Sequence, residues 1–160
     1  MAELFAVSEL VRVAVEDEKV GVAFYSALAG AVKDPGLQET FAKLTDEERR
    51  HQKRFEEMLR SVGRYAAPER YPDEYGAYLQ ATTSDRAFPD EDAARKQAEQ
   101  CTSDREAVDF ALGLERNTLL LLNEMRKFTR EKDTSLVDEI ASEEQSHLVT
   151  LLAARRRLPG

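Results

Sequence analysis

Asp46-Glu47-Glu48-Arg49-Arg50-His51 and Ser142-Glu143-Glu144-Gln145-Ser146-His147 contain the only two histidines of the chain, and each histidine has glutamate three positions before it. With 20 Glu among 160 residues, chance would produce that coincidence roughly once in sixty, so the local flanks must decide its meaning. Through Phe41, Leu44, Glu48, His51, Phe55 and Met58 the spacing alternates three and four, which is the period of one helix face. Val137, Ile140, Glu144, His147 and Leu151 repeat it. Glu48, His51, Glu144 and His147 are therefore expected inside apolar stripes, where an unpaired charge costs several kcal/mol.

The same test applied elsewhere yields two further acidic intruders. Glu18 falls between Val11, Ala14, Val22 and Tyr25, and Glu115 falls among Val108, Ala111, Thr118, Leu122 and Met125. Each of four helices thus carries one carboxylate in its apolar face, and two of them add an imidazole. Glu18 and Glu48 are 30 residues apart around a turn near Asp34, and Glu115 and Glu144 are 29 apart around a turn near Lys132. At about 1.5 Å per residue each pair returns to one height across its hairpin. Lys19, Arg49, Arg50 and Arg116 lie off the stripes, so no side-chain cation is expected among the four carboxylates. Metal ions are the remaining counter-charge, and an oxygen-rich set with two imidazoles suits iron or manganese.

The helices carrying these residues are expected over about 8–32, 36–62, 103–131 and 133–157, with a crossover over 63–102. Ser8 is available as an N-cap, Asp34-Pro35 reads as a cap with proline in the first turn, and Ser103-x-x-Glu106 matches a capping box. The crossover holds Pro68, Pro72 and Pro89 and the tyrosines Tyr65, Tyr71, Tyr75 and Tyr78, and reads as short helical pieces that pack on the bundle. No strand is expected. Two antiparallel helical hairpins joined by one long crossover is the topology of an all-α, ferritin-like four-helix bundle, here one domain over 1–160.

Composition agrees and narrows the partners. The chain is 42% hydrophobic and 34% charged, with 7 Gly and 5 Pro, too apolar for disorder and poor in turn formers. A net charge of -8 repels phosphate backbones and anionic lipid surfaces, so neither nucleic acid nor membrane is expected as a partner. The single cysteine, Cys101, permits no intrachain disulfide and no four-cysteine metal site. Glu3 and Glu9 stand where a secretory leader needs positive charge, and no apolar run approaches a membrane span, which points to the cytoplasm.

Taken together, Glu18-x6-Tyr25, Glu48-x-x-His51, Glu115-x6-Leu122 and Glu144-x-x-His147 resemble the rubrerythrin branch of the ferritin-like di-iron carboxylate superfamily, over nearly the whole chain. The resemblance implies two iron ions per chain, with manganese or zinc as substitutes. Glu48 and Glu144 would bridge the metals, Glu18 and Glu115 would be terminal ligands, and His51 and His147 would each cap one ion. It implies an oxidoreductase that reduces hydrogen peroxide, or oxidises ferrous iron with dioxygen or peroxide. Glu48, Glu144 and Tyr25 are the candidates for catalytic roles. Three differences from the family pattern bear on activity. One cysteine cannot build a rubredoxin domain, so an external, rubredoxin-like electron donor is expected; Thr118 stands where peroxidase members tend to carry an additional glutamate; and Leu122 stands where symmetry with Tyr25 asks for a second tyrosine.

Several residues admit more than one reading. Glu47 and Glu143, four before each histidine, are the rival ligands, although they fall beside the stripe. Tyr25 serves either core packing or a hydrogen bond to a ligand. Met58 and Met125 read as core filler rather than haem ligands. The run Leu119 to Leu122 covers all sides of its helix and is expected to be buried by the crossover or by a second subunit, hence a homodimer. Arg155, Arg156 and Arg157 complement the last helix's dipole. Against the enzyme stands a non-catalytic bundle that binds or sequesters iron.

Overall fold

A computed structural model describes residues 4–5, 7–62, 69–70 and 73–160. Four long helices make an all-α bundle: α1 (Val7–Ala31), α2 (Pro35–Val62), α5 (Asp104–Phe128) and α6 (Glu131–Arg157). The crossover contributes α3 (Asp73–Ser84) and α4 (Glu91–Gln100), which are the short helical pieces expected of it. Hairpin α1–α2 packs against hairpin α5–α6, with α4 laid on α1 and α3 on α5.

The turns are set by side-chain caps. Asp34 Oδ1 accepts from Leu37 N at 2.9 Å ahead of Pro35, while Asp104 on α5 accepts from the backbone amides of Lys33 and Asp34 at 2.9 and 2.8 Å. One carboxylate at the start of α5 thus clamps the turn of the other hairpin. Ser103 caps α5 through Glu106 N at 3.1 Å, but Glu106 returns its bond to Thr102, not to Ser103, so only half of the capping box forms as expected.

Three expectations differ from what is found. Ser8 lies inside α1, which begins at Val7. A short antiparallel ladder, β1 (Leu4–Phe5) with β2 (Glu69–Arg70), ties the start of the chain to the crossover where no strand was expected. The apolar face of α1 is wider than one stripe. Val20, Phe24 and Leu28 are buried while Val22 and Ala29 are only half-buried, because α1 is covered by α2, α4 and α5 together. Of the crossover tyrosines, Tyr65, Tyr71 and the side chain of Tyr75 lie outside the described residues; Tyr78 is partly exposed. In the leucine run Leu121 and Leu122 are buried, Leu79 of α3 joins their cluster, and Leu120 remains 44% exposed. The run is covered mostly from within the chain.

The core is divided. One apolar cluster contains Phe24, Tyr25, Leu28, Phe41, Leu44, Val108, Leu112 and Leu151. The other contains Leu10, Val11, Phe55, Met58, Leu122, Met125, Val137 and Ile140. Every long helix passes from one cluster to the other, and each does so at its stripe glutamate. Among the described residues no helix is long and apolar enough to cross a membrane.

Candidate metal centre

The layer between the two apolar clusters is built from Glu18, Glu48, His51, Glu115, Glu144 and His147, none more than 4% exposed. The hairpin registration read from the spacings of 30 and 29 residues therefore holds in space. The six side chains form two interlocking groups, Glu18, Glu48, His51 and Glu144 in one and Glu48, Glu115, Glu144 and His147 in the other. Within each group every residue offers a ligand atom within 4.8 Å of the other three. Glu48 and Glu144 are common to both.

Both histidines turn Nδ1 toward this layer. His51 Nδ1 lies 2.9 Å from Glu144 Oε1, out of line for a hydrogen bond, and 3.7 Å from Glu18 Oε2. His147 Nδ1 lies 2.9 Å from Glu144 Oε2 and 3.6 Å from both Glu48 Oε1 and Glu115 Oε1. The two rings are nearly parallel, with centroids 5.8 Å apart. Glu47 and Glu143, the rival ligands, belong to neither group. Each meets the outer nitrogen of the opposite hairpin's histidine, Glu143 at His51 Nε2 and Glu47 at His147 Nε2, both at 2.7 Å. Their place beside the stripe was visible in the spacing; their partners were not, since these depend on how α2 faces α6.

Tyr25 serves both of the purposes considered for it. Its ring stacks on Phe41 at 5.8 Å and its hydroxyl donates to Glu115 Oε1. Burial, reinforced by the charge of Glu115, raises its pKa well above that of a free phenol, so it stays a neutral donor. Gly21, one turn after Glu18, is a residue the sequence did not single out. A Cβ there would stand 3.0 Å from Glu48 Oε2, and its absence gives the Glu48 carboxylate room. Thr118 occupies the matching position after Glu115 and is buried, its hydroxyl spent on Leu114 O at 3.2 Å.

Electrostatically the layer is unfinished. Burial pushes the carboxyl groups of Glu18 and Glu48 well above the usual range, and the charge of Glu144 pushes both further. Burial and the same neighbour lift Glu115 to about 8. Glu144 goes the other way: burial opposes its charge, but its close contacts with Glu115, His147 and His51 outweigh it and lower its pKa. Burial also disfavours imidazolium, yet the carboxylates in reach, Glu144 first for His51 and Glu115 first for His147, raise the two histidines to about 9 and about 11. Shared protons thus offset the repulsion among the four carboxylates.

Whether the donor set fits metal ions can be judged from what it leaves unpaired. Both oxygens of Glu18, Oε1 of Glu48, Oε1 of Glu144 and Nδ1 of His51 are buried without a hydrogen-bond partner. Orphaned polar atoms at this depth are rare and costly, and here five of them converge on one layer. A pair of cations would satisfy all of them, and the set fits.

Comparison with known proteins points the same way. The rubrerythrin family model matches residues 9–155. The chain belongs to the rubrerythrin family. Among solved structures, this rubrerythrin-family chain is similar to a Thermotoga maritima protein described as a "putative ferritin-like diiron-carboxylate protein". That likeness has 22% identity, covers 98% of this chain and 99% of that one, and has a TM-score of 0.75. At that identity the likeness shows the fold: a ferritin-like bundle. No curated protein matches the sequence.

Proposed function

We propose that this rubrerythrin-family chain is a di-iron carboxylate oxidoreductase that reduces peroxide or dioxygen, or oxidises ferrous iron, with electrons from an external donor. The observation that carries the reading is the pair of interlocking groups with their unpaired buried atoms. Glu48 and Glu144, shared by both groups, would bridge two ions. Glu18 and His51 would complete one coordination set, Glu115 and His147 the other. Iron held by these residues would supply the electrons for reduction of the oxidant and the positive charge that stabilises the reduced product.

The chain's own residues have separable tasks. The two apolar clusters exclude water above and below the layer, which strengthens every charge interaction inside it. Tyr25 tethers Glu115 through a neutral hydroxyl, whereas Glu18 has no partner on either oxygen. Of the two unshared carboxylates, Glu18 has no tether like that of Tyr25 on Glu115 and would be the freer to change its mode of binding. Thr118 brings no ionisable group to the layer, so turnover of peroxide is expected to be slow unless a carrier returns electrons. That carrier would be rubredoxin-like, and Cys101, the one cysteine of these 160 residues, cannot build its four-cysteine iron site. A homodimer would use Leu120 and Tyr78, which remain exposed, and sedimentation at micromolar concentration tests it.

The deciding experiment is metal analysis of iron-replete protein, followed by stopped-flow addition of peroxide to the reduced form of the wild type, Glu48→Ala and Glu144→Ala. Two ions per chain, fast oxidation in the wild type and slow oxidation in both variants are expected. Two ions without oxidation faster than that of free ferrous iron would make the chain an iron-sequestering bundle. At most one tightly held ion would overturn the two-metal reading.

A further inference from the structure

Glu47 and Glu143 are adjacent in sequence to the shared glutamates Glu48 and Glu144 but touch the layer only through the histidines. The contact is crossed: a carboxylate on α6 holds the ring on α2, and one on α2 holds the ring on α6. Both carboxylates are themselves braced. Arg54 Nη1 lies 3.5 Å from Glu143 Oε1 while its Nη2 pairs with Glu139 at 2.5 Å, and Arg50 and Lys43 stand 3.5 and 3.9 Å from Glu47. Each imidazole is therefore gripped at Nε2 from outside while Nδ1 faces the four carboxylates.

The grip has a chemical direction. A neutral imidazole carries one N–H donor and one lone pair, and an ionised carboxylate can only accept. A carboxylate at Nε2 requires a proton on that nitrogen, so the proton that a bound cation would displace is the one on Nδ1, whose lone pair then points inward, as a metal ligand's must. We propose that Glu47 and Glu143 are positioning residues of the metal centre, each fixing the opposite hairpin's histidine as the Nε2–H tautomer with Nδ1 directed between the carboxylates. This rests on the metal-binding reading above. It is not the role of a ligand, because both carboxylates lie on the far side of the ring from the layer. Nor is it an ordinary surface ion pair, since the partner rings are almost wholly buried.

The test uses the full chain loaded with zinc, a diamagnetic probe, as wild type, Glu47→Ala, Glu143→Ala, Glu47→Gln and Glu143→Gln. Zinc retention is measured by competition with a chelator, and the ring nitrogens are assigned by 15N NMR. In the wild type both histidines should bind zinc through Nδ1 and carry the proton on Nε2. The alanine variants should lose affinity by about tenfold to a hundredfold. Glu47→Ala should disturb the His147 resonances first, and Glu143→Ala those of His51. The glutamine variants keep an oxygen acceptor and should recover most of the loss. Zinc on Nε2 in the wild type, equal retention in the alanine variants, or no recovery with glutamine overturns the positioning role while leaving the metal centre standing. A wild type that holds no metal removes the centre and this role with it.

Discussion

The two halves of the bundle place Glu18, Gly21 and Tyr25 on α1 against Glu115, Thr118 and Leu122 on α5, at identical spacings from the two stripe glutamates. Their shared feature is the carboxylate; the flanks differ. On α1 the next turn is empty and gives Glu48 space, and the turn after carries a phenol that reaches across to the other half. On α5 the corresponding positions are a self-satisfied hydroxyl and an apolar side chain. Both polar provisions of α1 therefore act on residues of other helices: Gly21 frees Glu48 and Tyr25 restrains Glu115. Glu18, on the same helix, has no such tether and faces Glu48 and His51 of the same layer. A near-twofold set of buried carboxylates has unequal ends, one tethered by Tyr25 and one without a tether.

The largest effect expected is from metal removal, which exposes the demand both halves share. With ligand in hundredfold excess over its dissociation constant, binding adds about 2.7 kcal/mol, or roughly 5–10 °C in melting temperature for a chain of this size. The pH dependence has a definite sign. Glu115, His51 and His147 have folded pKa values of about 8, 9 and 11, raised above the unfolded values of 4.5 and 6.5. Each binds its proton more tightly when folded, so the stability it contributes is complete below the unfolded value and is lost as pH rises through the folded one. Chelated protein should melt progressively lower from pH 6.5 to about 9, while the loaded form holds level. Calorimetry of both forms across that range checks it.

The comparison itself is sharpened by deleting each loose or tethered carboxylate in chelated protein. Glu115→Ala strands the buried Tyr25 hydroxyl and should cost about 1–3 kcal/mol. Glu18→Ala removes two unpaired oxygens and should leave stability unchanged or slightly higher. Equal losses in urea melts would show that the two ends are not distinguished in this way. A smaller effect, about 1 kcal/mol, is expected for Tyr25→Phe, which keeps the stack on Phe41 and removes the tether. Smallest is Gly21→Ala against Thr118→Ala. The first crowds Glu48 and should weaken metal retention, by less than the roughly tenfold to hundredfold expected for loss of a residue that orients a ligand directly. The second should leave retention unaffected in the same chelator competition.

The residues legible in the sequence were those whose meaning depends on one helix at a time. The three-four alternation through Glu48-His51 and Glu144-His147 identifies an imidazole and a carboxylate in a buried face whatever the neighbours are, and hairpin arithmetic brings Glu18 and Glu115 to their level. What escaped depends on a second surface. Phe24 and Leu28 belong to the core because α4 settles on α1, and nothing in the α1 pattern announces that cover. Glu47 and Glu143, four residues before each histidine, have a ligand's spacing in the sequence, and their histidine partners become visible only once α2 faces α6. Gly21 looks like an ordinary small residue until the Glu48 side chain occupies the space its missing Cβ leaves.

The division of the core by a polar layer has a consequence for how the molecule opens. Ions held in this layer would tie all four long helices together at one level, so in loaded protein amide exchange at α2 residues Thr45–Gln52 should require unfolding of the entire bundle. In chelated protein that level becomes a plane of weakness between two apolar blocks, each with its own share of every long helix. Amides there should exchange through a sub-global opening well ahead of those around Phe41 or Met58 on the same helix, so the protection pattern along α2 reports whether the layer is loaded.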